Sequence, residues 1–269
     1  NGSRHLEAYH AVAGMGAVLH TLNIRLSDHD LEYIIDHAQD RIIIVDADVL
    51  PLLEKLKGRM PSVERIGFEN WQTELPNPVD YEAFIAGKPT EYAWPEIDEN
   101  SPLGLCYTSG TTGNPKGVEY EHRSQYLHTM TQCMTDSMNL SATDCLLGIV
   151  PMFHAMGWGL PWSALMLGCK QVMPHRFMDP ARLIQLMVDE SVTVSAGVPT
   201  IWQGLKALFE ADPGKYDLSS LSRVTCGGSA PPSSLIRWYW DRLGVEMIQG
   251  WGMTETSPLV TLSRRVMKR

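Results

Sequence analysis

The sequence predicts an α/β protein in which two sheet-based units, their strands mostly parallel, are flanked by helices. Two observations predict it. Short apolar runs alternate with amphipathic windows almost from end to end, the pattern of strands joined by helical crossovers. Two of those windows open on side chains able to cap a helix, so the helix starts are marked locally. The chain has 269 residues, enough for a large core, and 44% of them are apolar against 20% charged, which excludes a disordered or disulfide-stapled chain.

In order along the chain, Arg4 to Gly14 reads as a first helix. Ser27-Asp28-His29-Asp30 resembles a capping box and opens a second, with Leu31, Ile34, Ile35 and Ala38 at i, i+3, i+4 and i+7. Ile42 to Val45 reads as a buried strand. Between Gly87 and Pro102, Pro89 and Pro95 lie among Glu91, Glu96, Asp98 and Glu99, a solvated connector. Leu103 to Tyr107 is a strand, and a helix begins at His122. A break near Asn139 to Asp144 precedes the strand Cys145 to Val150. Asp179-Pro180 places an N-cap before a proline at the first helical position, Leu183, Ile184 and Met187 supply the buried face, and the strand Val192 to Ser195 follows. These elements divide into a first α/β subdomain, 1–138, and a second, 139–269.

The net charge of −9, with no basic patch, disfavours nucleic acid as a partner. No run approaches the roughly 20 apolar residues of a membrane-crossing helix, and the first residues carry no signal-peptide pattern. Cys106, Cys133, Cys145, Cys169 and Cys226 are odd in number and never CxxC, which points to a reducing, cytoplasmic setting. The histidines form no HExxH and no Cys/His ladder, so a zinc site has no support.

Chemistry concentrates in Thr108-Ser109-Gly110-Thr111-Thr112-Gly113-Asn114-Pro115-Lys116-Gly117, which follows the strand ending at Tyr107. Glycines let backbone N–H groups approach an anion, hydroxyls add donors, and lysine adds a point charge, together a cradle for a nucleotide triphosphate. It is not the GxxxxGK[ST] loop, because Gly117 follows Lys116. A Gly/Ser/Thr-rich surface turn is the simpler account of such a string, and the length of this one argues against it. Gly227-Gly228-Ser229-Ala230-Pro231 is no hydrolase elbow: proline replaces the last glycine and no histidine follows Ser229.

Tyr107 to Ser124 resembles the signature loop of the adenylate-forming superfamily of acyl-CoA synthetases, luciferases and peptide-synthetase adenylation domains. Three further segments agree in order and spacing. Val150 to Gly159 resembles the acyl-pocket motif of the fatty acyl-CoA ligase branch, Cys226 to Ala230 the adenine-contacting turn, and Gln249 to Thr256 the segment that stacks on the base and holds phosphate and Mg2+. The resemblance implies the large N-terminal domain of such enzymes, with this chain as its central part. The small C-terminal domain and the lysine it carries are expected to lie outside it, so the chain is expected to be inactive alone.

By the same resemblance, Thr108, Ser109, Gly110, Thr111, Thr112, Gly113 and Lys116 hold the β/γ phosphates of ATP. Gly228, Ser229, Gln249, Gly250, Trp251 and Gly252 contact adenine, where Trp251 offers a flat face and the flanking glycines leave it clear. Thr254 serves the α-phosphate, and Glu255 with Thr108 serves Mg2+. His154 lies beside the reacting carboxylate, as an uncharged imidazole or as its cation, and Trp158, Val198 and Gly228 line the substrate site. Lys116, His154, Thr254 and Glu255 are the expected catalytic groups. Taken singly, each has a plainer account: a core histidine, a packed aromatic, a solvated Thr-Glu pair.

Met152, Met156, Met166, Trp158, Trp162 and Trp202 read equally as core or as the lining of an alkyl channel. No Asp or Glu occurs between Asp144 and Asp179, which favours a fatty tail over a zwitterion. The expected activity is AMP-forming ligation of a fatty acid to CoA, with fatty acid, ATP and CoA as small-molecule partners and a homodimer as one allowed assembly. An amino-acid or aryl adenylation enzyme, and a non-catalytic ATP- or acyl-binding fragment, are the alternatives.

Overall fold

The computed structural model describes residues 1–68, 78–108 and 113–264. Helix α1 (Ser3–Gly14) leads to β1 (Leu19–His20), α2 (Asp28–His37), β2 (Ile42–Ile44), α3 (Leu50–Glu54), β3 (Arg65–Phe68), β4 (Pro78–Asp80) and α4 (Tyr81–Ile85). The connector then reaches the antiparallel pair β5 (Pro102–Thr108) and β6 (Lys116–Glu121), followed by α5 (His122–Cys133). Alternation becomes regular in β7 (Cys145–Leu147), α6 (Leu160–Leu167), β8 (Lys170–Val172), α7 (Pro180–Asp189), β9 (Val194–Gly197), α8 (Pro199–Ala211), β10 (Arg223–Cys226) and α9 (Ser233–Leu243). Strands β11 (Glu246–Gly252) and β12 (Leu259–Ser263) close the series.

The local signals act as expected. Ser27 Oγ accepts the N–H of Asp30 at 3.1 Å and donates to its carboxylate at 2.8 Å, starting α2. Asp179 accepts the N–H of Arg182 at 2.9 Å, and Pro180 gives up no needed donor in the first turn of α7. Leu31, Ile34, Ile35, Leu183, Ile184 and Met187 are all buried.

Three strand expectations are corrected. Ile42 and Ile44 are 62% and 46% exposed and only Ile43 is buried, because successive side chains of β2 point to opposite faces and one face alone is covered. Its cluster with Leu31, Ile34, Ile35 and Leu50 covers one face alone. The strand expected to run to Val150 ends at Leu147: the Gly148 N–H still reaches Val172 O at 3.0 Å, but the carbonyls of Gly148 and Val150 accept from Asn1 Nδ2 instead of from a strand. The strand expected from Val192 starts at Val194.

Beside the small sheets β2-β3-β4 and β1-β5-β6 stands a six-stranded sheet of order β12-β11-β10-β9-β7-β8, parallel except for β12. From β7 the chain winds outward to β8, then crosses over to β9 on the other side. This reversal is a topological switch point, and crevices form beyond the carboxyl ends of strands at such points. The main core lies under this sheet, with Trp202, Tyr239, Leu183 and Val224 at its centre.

A buried ion pair fastens the 139–144 break to the sheet. Arg223 Nη2 lies 2.5 Å from Asp144 Oδ2, its Nε donates to Met138 O at 2.8 Å, and Thr193 Oγ1 donates to Asp144 Oδ1 at 2.7 Å. Burial pushes the Asp144 carboxyl upward, but bonds from Arg223, Thr193 and the Ser141 N–H outweigh it and leave the group below its ordinary value. The folded form therefore takes up this proton less readily than the unfolded chain, and the stability is present at neutral pH and lost in acid. Thermal melts across pH should show the advantage of wild type over Asp144→Asn shrinking once pH falls below about 4. A difference constant down through that range would rule out the charged pairing.

Candidate active site

Beyond the carboxyl ends of β7, β9, β10 and β11 the chain forms a cleft that opens to solvent. Met138, Ala155, Leu160, Ala196 and Leu259 make its depth apolar, and Trp251, Gly252, Met253 and Thr254 form one rim. No Asp or Glu lines it.

His154 and Trp158 enter this cleft from an unusual piece of backbone. Ala155, Met156, Gly157, Trp158 and Gly159 all have φ between 40° and 74°, a left-handed turn between β7 and α6. Left-handed geometry costs about 1–2 kcal/mol for each L-residue, so Ala155, Met156 and Trp158 together cost on the order of 3–6 kcal/mol. Packing offsets this. Met156 is fully buried against β5, where a Cβ on Gly104 would come within 2.5 Å of its Sδ and Cε. Tyr9 donates to Met152 O, and Thr21 Oγ1 to Phe153 O at 3.2 Å. A Cβ on Gly159, at φ 74°, would sit 2.4 Å from the buried His128 ring, whose pKa burial lowers to about 4.

The Trp158 ring lies over the turn after β10. A Cβ on Gly227 would meet it at 3.0 Å, and one on Gly228 would meet Val198 Cγ1 at 3.1 Å. Desolvation, then the nearby Arg25 guanidinium, hold the His154 imidazole below its ordinary value. Of the two expected forms, that direction favours the uncharged ring.

The residues expected to hold phosphate start from the β5–β6 hairpin. Thr108 and Lys116 are paired across it in register. Lys116 is exposed and has no ion-pair partner among the described residues. Ser109, Gly110, Thr111 and Thr112 lie outside the described residues. Gly113 is exposed, and a Cβ there would meet nothing within 4 Å. Tyr120 of β6 donates to Thr254 O at 2.6 Å, and burial first, then Cys106 and Glu255, raise its pKa. Glu255 is exposed beside it. Thr256 Oγ1 accepts the Met253 N–H at 2.9 Å and reaches Pro258 O at 2.7 Å, closing the turn that presents Thr254.

The fold thus gathers His154, Trp158, Gly228, Gly250, Trp251, Gly252 and Thr254 around one cleft, with Glu255 adjacent to Thr254. Val198 touches it only through Gly228, while Ser229, Gln249, Thr108 and Lys116 are not among its lining residues. Trp251 is 53% exposed, with a face free to stack. One of the glycines beside it has a packing reason besides the one expected. A Cβ on Gly252 would fall 1.9 Å from the backbone Pro258 O, so packing of β12 demands that glycine, whereas one on Gly250 would make only close side-chain contacts with Leu262 and Thr225.

The alkyl-channel reading of the methionines and tryptophans is narrowed to Trp158. Trp202 is fully buried and donates to Gly197 O at 3.2 Å, Met152, Met156 and Trp162 pack with Tyr9, and Met166 is exposed. Sequence reasoning missed Gln132, Thr225 and Met138. Helix α5 buries Gln125, Thr129 and Gln132 and exposes Tyr126, Leu127 and Met130, the reverse of an ordinary amphipathic helix. The i, i+4, i+7 spacing of those polar residues was the available signal.

A family model described as AMP-binding enzyme matches residues 1–269. The chain is 46% identical over 266 residues to a medium-chain-fatty-acid–CoA ligase of Ectopseudomonas oleovorans, covering 97% of this chain and 48% of that protein. It is 42% identical over 273 residues to a 3-methylmercaptopropionyl-CoA ligase of Ruegeria pomeroyi, covering 100% of this chain and 50% of the other. The chain spans about half the length of the curated relatives it matches. In structure it resembles an anthranilate CoA ligase crystallised with anthranoyl-AMP, at a TM-score of 0.89 and 24% identity over 100% of this chain and 52% of that one.

Proposed function

We infer the function from one premise, that the chain belongs to the AMP-binding enzyme family. We propose that it contributes the ATP- and acid-binding part of an AMP-forming ligase that joins a medium- to long-chain fatty acid to CoA. The carboxylate oxygen attacks the α-phosphorus of ATP, the bond to the β-phosphate breaks, and pyrophosphate leaves. The CoA sulfur then bonds to the acyl carbon as AMP departs. The observation that carries this reading is one cleft whose depth is apolar and whose rim bears His154 on one side and Trp251 to Thr254 on the other.

Each residue has a task its position suits. Lys116, at the root of the hairpin loop, neutralises charge on the leaving phosphates, and the Thr254 hydroxyl faces the α-phosphate. Trp251 stacks on the base, with Gly228, Ser229 and Gln249 around it. Uncharged His154 sits where the carboxylate must be held, and a neutral ring leaves that carboxylate free to attack. The apolar walls exclude water from the acyl adenylate. Mg2+ belongs to the same proposal: it takes one or two carboxylates besides phosphate and water, and Glu255 with the Thr108 hydroxyl is a donor set of that kind. Bound there, it would supply charge neutralisation.

The acyl preference follows from desolvation. An α-ammonium placed in a cleft lined by no carboxylate is costly, so an amino-acid substrate is disfavoured, and each buried CH2 adds up to about 0.8 kcal/mol until the cavity is full. The division at 138/139 is part of the proposal, supported by the six-stranded sheet drawing all its strands from residues after 144. No helix among the described residues is long and apolar enough to cross a membrane, and the free cysteines support a cytoplasmic setting.

Pyrophosphate exchange on the full-length enzyme, measured with a series of straight-chain acids from acetate upward and with amino acids, tests the reading. Exchange should rise with chain length and then level off. A best substrate of acetate or an amino acid would overturn the fatty-acid assignment, and a best substrate of 3-methylmercaptopropionate would overturn its chain length. ATP binding without exchange would favour a binding module.

A further inference from the structure

The left-handed turn that carries Trp158 into the cleft needs an anchor beyond its own hydrogen bonds, and the structure provides one from a distant helix. Gln132 of α5 is 1% exposed, yet it lines the cleft. Its Nε2 donates to the carbonyl of Trp158 at 2.7 Å, and its Oε1 accepts from the hydroxyl of Ser163 on α6. Ser163 Oγ also lies 3.2 Å from Gly159 O, the last carbonyl of the turn. The amide has only one consistent orientation, because a carbonyl on one side requires a donor and a hydroxyl on the other can supply one.

We propose that Gln132 is a positioning residue that sets acid specificity by locking the Ala155–Gly159 turn. The inference rests on the ligase reading above. Without the amide, the Trp158 carbonyl is left buried without its donor and the turn is free to relax toward ordinary right-handed geometry. The Trp158 ring, which packs over Gly227, would then shift, and with it the wall between the cleft mouth and its apolar depth. His154 immediately precedes the turn and would move as well. The expected phosphate side is carried by β6 and the 253–256 turn, held together by Tyr120, and the hydrogen bonds of Gln132 go to Trp158 and Ser163 instead. This separation is what a merely structural glutamine would not produce.

The test uses the full-length enzyme with Gln132→Met, which keeps the length of the side chain and removes both hydrogen bonds. KM for the preferred acid should rise about tenfold and the preferred chain length should move, while KM for ATP rises by a clearly smaller factor. Deuterium uptake in the peptide covering residues 155–160 should quicken, with the strands of the six-stranded sheet unchanged. Equal rises in both KM values, or unchanged acid KM and unchanged uptake, would overturn the proposal. If Gln132→Met does not fold, Ser163→Ala removes only the hydroxyl that holds the amide, and it should shift acid KM and uptake in the same sense by a smaller factor. No shift there would equally overturn it. If the wild-type enzyme activates no carboxylic acid, the ligase reading fails by itself, and uptake still decides whether Gln132 holds the turn.

Discussion

Lys116→Ala in the full-length enzyme is expected to slow acyl-adenylate formation by about 10²- to 10³-fold, the usual loss when one charge-stabilising group is removed. Thiolation starting from preformed acyl adenylate should be affected far less, because pyrophosphate has already departed. The structure makes this a clean experiment. Lys116 starts β6 directly across from Thr108, is exposed, and holds no carboxylate in an ion pair among the described residues. Its removal should therefore leave stability within about 0.5 kcal/mol, as at other surface positions without special contacts. Single-turnover measurement of the two half-reactions, with a thermal melt as control, decides the matter. Equal losses in both halves, or a lowered melting temperature, would make Lys116 a structural residue and move the phosphate-binding role elsewhere.

Gly252→Ala is the substitution expected to do most harm to the fold around the site. Its Cβ would fall 1.9 Å from Pro258 O, 2.8 Å from Pro258 C and 2.9 Å from Leu259 Cα. All three are backbone atoms, so no side chain can swing aside. The β11–β12 pairing already shifts register between Trp251 and Gly252, so β12 would have to leave the sheet edge or carry the Thr254 turn with it. We expect a loss of about 3 kcal/mol, the upper end for overpacked sites, and a melting temperature lower by roughly 10 °C. Nucleotide affinity should fall in the same variant, because Trp251 and Thr254 flank the displaced position. Gly113→Ala, whose Cβ meets nothing, serves as the stability control. An unchanged melt for Gly252→Ala would mean that the hairpin tolerates a different register.

The two experiments address residues that the sequence marks with unequal clarity. Lys116 is visible because lysine after a Gly/Ser/Thr string has few purposes other than an anion. Gly252 is visible too, but its reason is not. In the sequence it is one of two glycines beside Trp251, and an open face for a base is the natural explanation. Only the antiparallel return of β12 reveals that Pro258 occupies the space a side chain would need.

What the sequence determines by itself is whatever depends on neighbours a few residues away. Ser27 and Asp179 cap their helices through N–H groups three positions on, and the buried faces of α2 and α7 follow from helical spacing. The order and spacing of the motifs likewise identify the family, since the 108–117, 150–159, 226–230 and 249–256 segments are each local in the chain. Tertiary structure alone decides which side chains of one type do which job. Trp158 lines the cleft and Trp202 lies sealed in the core, although both sit in apolar surroundings in the sequence. Ile42 and Ile44 are exposed because only the opposite face of β2, through Ile43, meets the core, and α5 turns Gln132 inward where the Trp158 carbonyl and Ser163 meet it. Those partners stand 26 and 31 residues from Gln132, and Tyr120 meets Thr254 across 134. A hydrogen bond closes such distances only after the sheets have assembled, so hydrophobic periodicity, which reports local burial, carries no trace of it.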